Sequence, residues 1–236
     1  MNLINILKIP YRSLLNLNKK IHTITQSQQA SYKEHHNQYL DKDSLKKHNK
    51  CFEKYEKENL FNQPGSRFQD LLNKHQNINT VAIDIGCGVG WISVKLSPRF
   101  EKVIAIEPSN AALNTAKILF PQNKYSNIEW IEGFAENILA KLKLEKPSFF
   151  ITGCVLSHLT DKSVKQICET INKIGHKDSI LAFSECWGTE SHEFMWHVRT
   201  KEWWQENMRD WKLDFHGPMI QNIPGRHKGF HGVKIK

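Results

Sequence analysis

The residues best suited to chemistry lie in Asp84-Ile85-Gly86-Cys87-Gly88-Val89-Gly90, a glycine-dense turn that follows an apolar run and precedes a helical one. The spacing is G-x-G-x-G. A dinucleotide fingerprint is G-x-G-x-x-G, with its third glycine giving close helix-to-strand packing; here that position holds Trp91, the largest side chain available. A phosphate-gripping loop needs G-x-x-x-x-G-K-[ST], which is absent as well. What remains is a loop whose backbone comes very close to a ligand. The aspartate that introduces it accepts hydrogen bonds and suits a ligand bearing an ammonium group. Glu107 ends the next apolar run, "KVIAIE", and a carboxylate at such a tip accepts both hydroxyls of a ribose.

Short strands alternating with helices must position these groups. The expected strands are 80–85, 102–107, 128–132, 148–153 and 179–185, and helices begin near Trp91, Asn110, Ala135 and Asp161. Ser109 is placed to cap the second of these helices. The alternation predicts βαβ units and a doubly wound, mostly parallel sheet with helices on both faces, ligands binding outside the carboxyl ends of the strands. In the tail, "VRTKEWWQENMRDW" predicts a helix, and the runs "KLDFHGPMI" and "FHGVKIK", joined by a turn-rich segment, predict an antiparallel β-hairpin closing one sheet edge. That gives a seven-stranded α/β architecture.

The chain divides into an N-terminal helical extension, residues 1–65, whose first 30 residues read as a docking arm or poorly ordered leader, and a domain over 66–236. No apolar run reaches the roughly 18 residues that a membrane span requires. The leader, broken by Pro10, lacks the features of a secretory signal. Five scattered cysteines without a C-x-x-C pair predict a reducing cytoplasm. "HEFMWH" spaces His192 and His197 five apart, not the four of a zinc-binding helix, so no metal site is assigned. The formal net charge of +9 suits an acidic partner such as nucleic acid or a phosphorylated glycan, but the lysines are spread along the chain as a general bias would leave them, so a nucleic-acid partner is not favoured.

Together, the loop from Asp84 to Gly90, the acidic tip at Glu107, the five-strand rhythm and the terminal hairpin make the chain resemble the class I S-adenosylmethionine-dependent methyltransferase family over roughly residues 79–185. The resemblance implies a Rossmann-like fold and S-adenosyl-L-methionine as cofactor. It implies that Gly86, Cys87, Gly88 and Gly90 pack against the methionine and ribose portions, and that Asp84 anchors the amino-acid end directly or through water. Glu107, followed by Pro108, would hold the ribose hydroxyls. Where the family often reads G-D-A after the third strand, this chain has Gly133-Phe134-Ala135; Phe134 lacks the carboxylate that would accept the adenine amino group and offers its backbone and an apolar ring face.

Gly153 and Cys154, at the end of the fourth strand, would lie beneath the transferred methyl group. His158 sits where small-molecule branches of the family commonly have a histidine. For a hydroxyl acceptor the expected bases are His158 and Glu185, the latter at the fifth strand's tip, with His192 and His197 beyond it. No Asn-Pro-Pro-Tyr or Asp-Pro-Pro-Tyr signature of amino-methylating branches is present. Trp196, Trp203 and Trp204 recur at helical spacing and read as a core-facing stripe, with an acceptor wall as the alternative. The basic turn Arg226, His227 and Lys228 reads as solvated charge, with an anionic acceptor as its alternative partner.

The expected activity is methyl transfer to a small-molecule or glycan-type acceptor, on oxygen. The alternatives are a nucleic-acid methyltransferase and a catalytically silent cofactor-binding partner subunit.

Overall fold

A computed structural model describes residues 67–153, 155–185, 187–188, 197–216 and 229–236. The expected N-terminal extension, the basic turn 226–228, His192, Trp196 and Cys154 lie outside the described residues.

The chain alternates as the apolar runs dictate: α1 (Arg67–Lys74), β1 (Val81–Ile85), α2 (Trp91–Leu96), β2 (Lys102–Glu107), α3 (Asn110–Leu119), β3 (Ile128–Glu132), α4 (Ala135–Leu139), β4 (Phe149–Gly153), a 3-10 turn (Leu156–His158), α5 (Asp161–Ile174), β5 (Ile180–Ser184), α6 (Lys201–Asn207), β6 (Trp211–His216) and β7 (Gly229–Lys234). The strands form one seven-stranded sheet in the order β3-β2-β1-β4-β5-β7-β6. The first five strands pair in parallel, and β7 runs antiparallel to both β5 and β6. The sheet, its doubly wound order and its antiparallel end are those expected from the sequence.

Strand periodicity sorts the core into two layers. Ala82, Val103, Ala105, Phe149, Ile151 and Ala182 face one side, against Leu71 and Leu72 of α1 and Val94 and Leu96 of α2. Their neighbours Ile83, Ile85, Ile104, Ile106, Phe150 and Leu181 face the other, against Val164, Ile167 and Ile171 of α5 and Trp204 of α6. The chain reverses direction in the sheet between β1 and β4, which carry the first and fourth expected strands side by side. Ligand sites in such folds form at that point.

The helix expected over 198–211 is shorter than its pattern. Thr200 caps α6, its hydroxyl accepting from Trp203 N–H at 3.2 Å, so Val198 and Arg199 stay outside the helix. At the other end Trp211 starts β6 instead of completing the helix. Its indole N–H donates to Asn172 Oδ1 at 2.9 Å, and its ring meets Phe150 edge-on at 6.1 Å. Tertiary contacts overrule the helical spacing there. Trp204 is core, packed on Phe230 at 4.8 Å, whereas Trp203 is half-buried under the Arg199 guanidinium.

Candidate functional site

The glycine loop is pinned to the end of β2. Gly86 and Cys87 N–H groups both donate to Ile106 O, at 2.8 and 3.0 Å, and Gly90 N–H donates back to Cys87 O at 2.9 Å. Two of its glycines are required for space as well as for conformation. Gly86 has φ +71° and a Cβ there would run into the Val155 side chain; Gly90 has φ +86° and a Cβ there would run into the Trp130 ring. Both lie in the left-handed region that disfavours any side chain. Trp130 has no counterpart in the sequence reading, because nothing local to β3 announces a contact with a loop forty residues earlier.

Glu107 draws three loops together. Its Oε2 accepts from Gly88 N–H at 3.0 Å, its Oε1 accepts from Ser109 N–H at 2.9 Å, and its carbonyl accepts from Gly133 N–H at 3.1 Å. Pro108 follows, and Ser109 caps α3 as expected, its hydroxyl accepting from Ala112 N–H at 3.2 Å. A carboxylate offers about four acceptor positions, so this arrangement orients Glu107 while suiting it to further donors.

Asp84 lies beneath the loop, 1% exposed, with Oδ2 accepting from Ser93 Oγ at 2.6 Å. Burial is the main cause that pushes its pKa up to about 7; the Ser93 hydrogen bond opposes the rise and the Glu107 charge adds to it. Asp84, expected to anchor the ligand directly or through water, thus sits under the loop and not on its surface. Ser93, on the first turn of α2, escaped the sequence reading. Burial also raises the Cys87 thiol pKa well above its usual range.

Beyond β3, Gly133 and Phe134 lead into α4. Phe134 is 54% exposed while Ala135, next to it, is buried. The Gly133 N–H bond to the Glu107 carbonyl ties this segment to the end of β2, and together an exposed apolar ring, a carboxylate and close loop backbone offer the groups a nucleoside needs: ring face for the base, carboxylate for sugar hydroxyls, close backbone for the remainder.

On the far side of β1 stands the end of β4. A Cβ at Gly153 would meet Ile92 Cδ1 at 3.2 Å, so α2 presses on that strand end. The following turn carries His158, which is exposed. The backbone of His197 reaches the same turn, its amide N–H donating to Ser157 O at 3.1 Å, and burial lowers its imidazole pKa.

Glu185, an expected base at the fifth strand's tip, is shut away from solvent. It is 0% exposed; Oε1 accepts from Thr152 Oγ1 at 2.5 Å and Val155 N–H at 2.9 Å, and Oε2 accepts from Ser157 N–H at 3.2 Å. Its carboxylate is committed to the backbone of the His158 turn, although burial raises its pKa. Arg199, which the sequence gave no reason to single out, is 4% exposed and grips the same turn.

A separate surface cavity of about 500 Å³, lined by Lys102, Lys117, Asn127 and Glu129 among others, opens where β2 and β3 begin, at the sheet edge opposite the glycine loop. Among the described residues no group of histidine, cysteine and carboxylate side chains could hold a metal, and no helix is long and apolar enough to cross a membrane.

Sheet order, glycine loop and acidic strand tip define the class I S-adenosylmethionine-dependent methyltransferase fold. A family model described as a methyltransferase domain matches residues 76–226, and the chain belongs to that family. Among solved structures it resembles an S-adenosylmethionine-dependent methyltransferase from Clostridium acetobutylicum, at TM-score 0.57 and 11% identity, covering 80% of this chain and 99% of that one.

Among curated proteins it is 31% identical over 97 residues to a probable cobalt-precorrin-6B C(15)-methyltransferase (decarboxylating) of Methanocaldococcus jannaschii, covering 41% of this chain and 48% of that protein. It is 40% identical over 60 residues to a tRNA (uracil-5-)-methyltransferase homolog B of Danio rerio, covering 25% of this chain and 12% of that protein. The chain thus spans about half or less of the length of these two relatives.

Proposed function

We propose that this methyltransferase binds S-adenosyl-L-methionine in the Asp84–Gly90 loop and methylates a small-molecule or glycan-type acceptor on oxygen. The observation that carries the reading is the Gly88 N–H bond to Glu107 Oε2 at 3.0 Å, which sets a sugar-gripping carboxylate against a loop of bare backbone. When bound, the cofactor supplies an electrophilic methyl group on a sulfonium. Glu107 accepts the ribose hydroxyls, Gly86, Cys87, Gly88 and Gly90 allow close approach, and Asp84 biases the loop toward the ammonium end. Phe134 and Ala135 take the base, and Gly153 floors the reacting end. His158, exposed on the turn after β4, takes the acceptor's proton as general base.

A small-molecule acceptor is supported by the precorrin relative. The nucleic-acid reading has its own support in the net charge of +9 and in the tRNA methyltransferase relative. Calorimetry with S-adenosylmethionine tests the cofactor site: Glu107→Ala and Gly88→Val are expected to abolish measurable binding, and unchanged affinity in both removes the proposal.

A further inference from the structure

The turn after β4 is held at both electrical poles by buried charge. Glu185 gathers its N–H groups, those of Val155 and Ser157. Arg199 gathers its carbonyls: Nη1 donates to Leu156 O at 2.8 Å and Nη2 to Leu159 O at 2.7 Å, while Nε donates to Asp161 Oδ1 at 2.9 Å. The two side chains are 0% and 4% exposed, and His158 lies between the two gripped carbonyls. Arg199 is itself fixed, its carbonyl accepting from Gly188 N–H at 2.9 Å in a parallel bridge with Trp187.

Burying two opposite charges costs desolvation that good geometry only partly offsets. A 3-10 turn of three residues closes without any such help. The expense is intelligible where a group must be held to within a fraction of an ångström for reaction. Among the described residues Ser157 Oγ, 1% exposed, has no hydrogen-bond partner, so the clamp does not serve every polar group of the turn.

We propose that Glu185 and Arg199 are positioning residues for methyl transfer, clamping the Val155–Asp161 turn so that His158 faces the reacting centre. This rests on the proposed function above and replaces the role of base for Glu185. Glu185→Gln keeps the shape but sets an amide against backbone donors. Arg199→Lys keeps the charge but loses the planar fork that serves the carbonyls of Leu156, Leu159 and His197 and the Asp161 carboxylate at once. Asp161→Asn removes only the partner charge at the exposed end of the clamp.

In the full chain, three measurements decide: amide hydrogen exchange over 155–159, S-adenosylmethionine affinity by calorimetry, and incorporation of labelled methyl from S-adenosylmethionine into a cell extract. In Glu185→Gln and Arg199→Lys, exchange is expected to quicken by about tenfold. Methyl incorporation should fall by about 10- to 100-fold while cofactor affinity stays within about twofold. Asp161→Asn should move both in the same direction by less, and with Glu185→Gln it decides the matter if Arg199→Lys does not fold.

Faster exchange with incorporation at the parent rate overturns the proposal. So does a loss of cofactor affinity in step with incorporation, the signature of a merely structural role. A parent chain that binds no S-adenosylmethionine instead overturns the proposed function, and the transfer half of this inference with it, while exchange still reports whether the clamp holds the turn.

Discussion

Asp84 shows how one residue links loop chemistry to pH. Its pKa in the fold stands at about 7 against an ordinary 3.8, so the folded chain holds this proton more tightly than the unfolded one. That contribution to stability is fully present below pH 3.8 and is lost as pH rises through about 7. Asp84→Asn keeps an acceptor for Ser93 and cannot ionise. Between pH 5 and 8.5 its melting temperature should therefore fall less than the parent's, by several degrees, since about 1 kcal/mol corresponds to roughly 2–4 °C in a chain of this size. A difference curve flat in pH would rule out the buried proton. Cofactor affinity should run the other way in the parent, strengthening as pH is raised through about 7, and Asp84→Asn should flatten that profile. Cys87 offers a simpler check: with its thiolate disfavoured by burial, it should resist alkylation at pH 8 in the folded chain and react once unfolded.

At the scale of elements, the regular parts of the chain were open to reading and the irregular ones were not. β2 and β3 occupy the expected residues, and α2, α3, α4 and α5 begin at Trp91, Asn110, Ala135 and Asp161 as anticipated. Apolar runs, glycine punctuation and the Ser109 cap are local signals, and local signals survive in sequence. Arg199 meets partners 38 to 43 positions away, and Glu185 meets partners 28 to 33 positions away; no periodicity encodes such bonds. A charged residue ending an apolar run looks solvated until the neighbouring turn is seen to fold over it. Trp211 likewise fits a helical pattern until Asn172 supplies a partner across the sheet's helical layer. The caps can be tested directly: Ser109→Ala should cost about 1 kcal/mol in denaturant unfolding. Cofactor affinity should stay within about twofold, because the backbone N–H that orients Glu107 is kept by alanine.

For the whole molecule, the antiparallel end of the sheet closes the second core layer. Phe230 of β7 is 0% exposed and meets the rings of Phe183, Trp204 and Phe215. Phe230→Ala should destabilise by about 3–5 kcal/mol through the cavity it leaves, read as a lowered denaturation midpoint with unchanged slope. The choice between acceptor classes also belongs at this scale. Binding of tRNA that weakens steeply between 50 and 200 mM salt would favour the nucleic-acid reading, because phosphate neutralisation releases counterions; binding indifferent to salt, or absent, leaves the small-molecule reading in place.

Val155 touches both halves of the machinery, its methyl groups facing Gly86 and its amide bonded to Glu185. A methyl group added at position 86 would therefore act as a wedge driven between donor seat and acceptor wall, spoiling grip and aim together. Any study that hopes to disable one without the other must cut away from that shared contact.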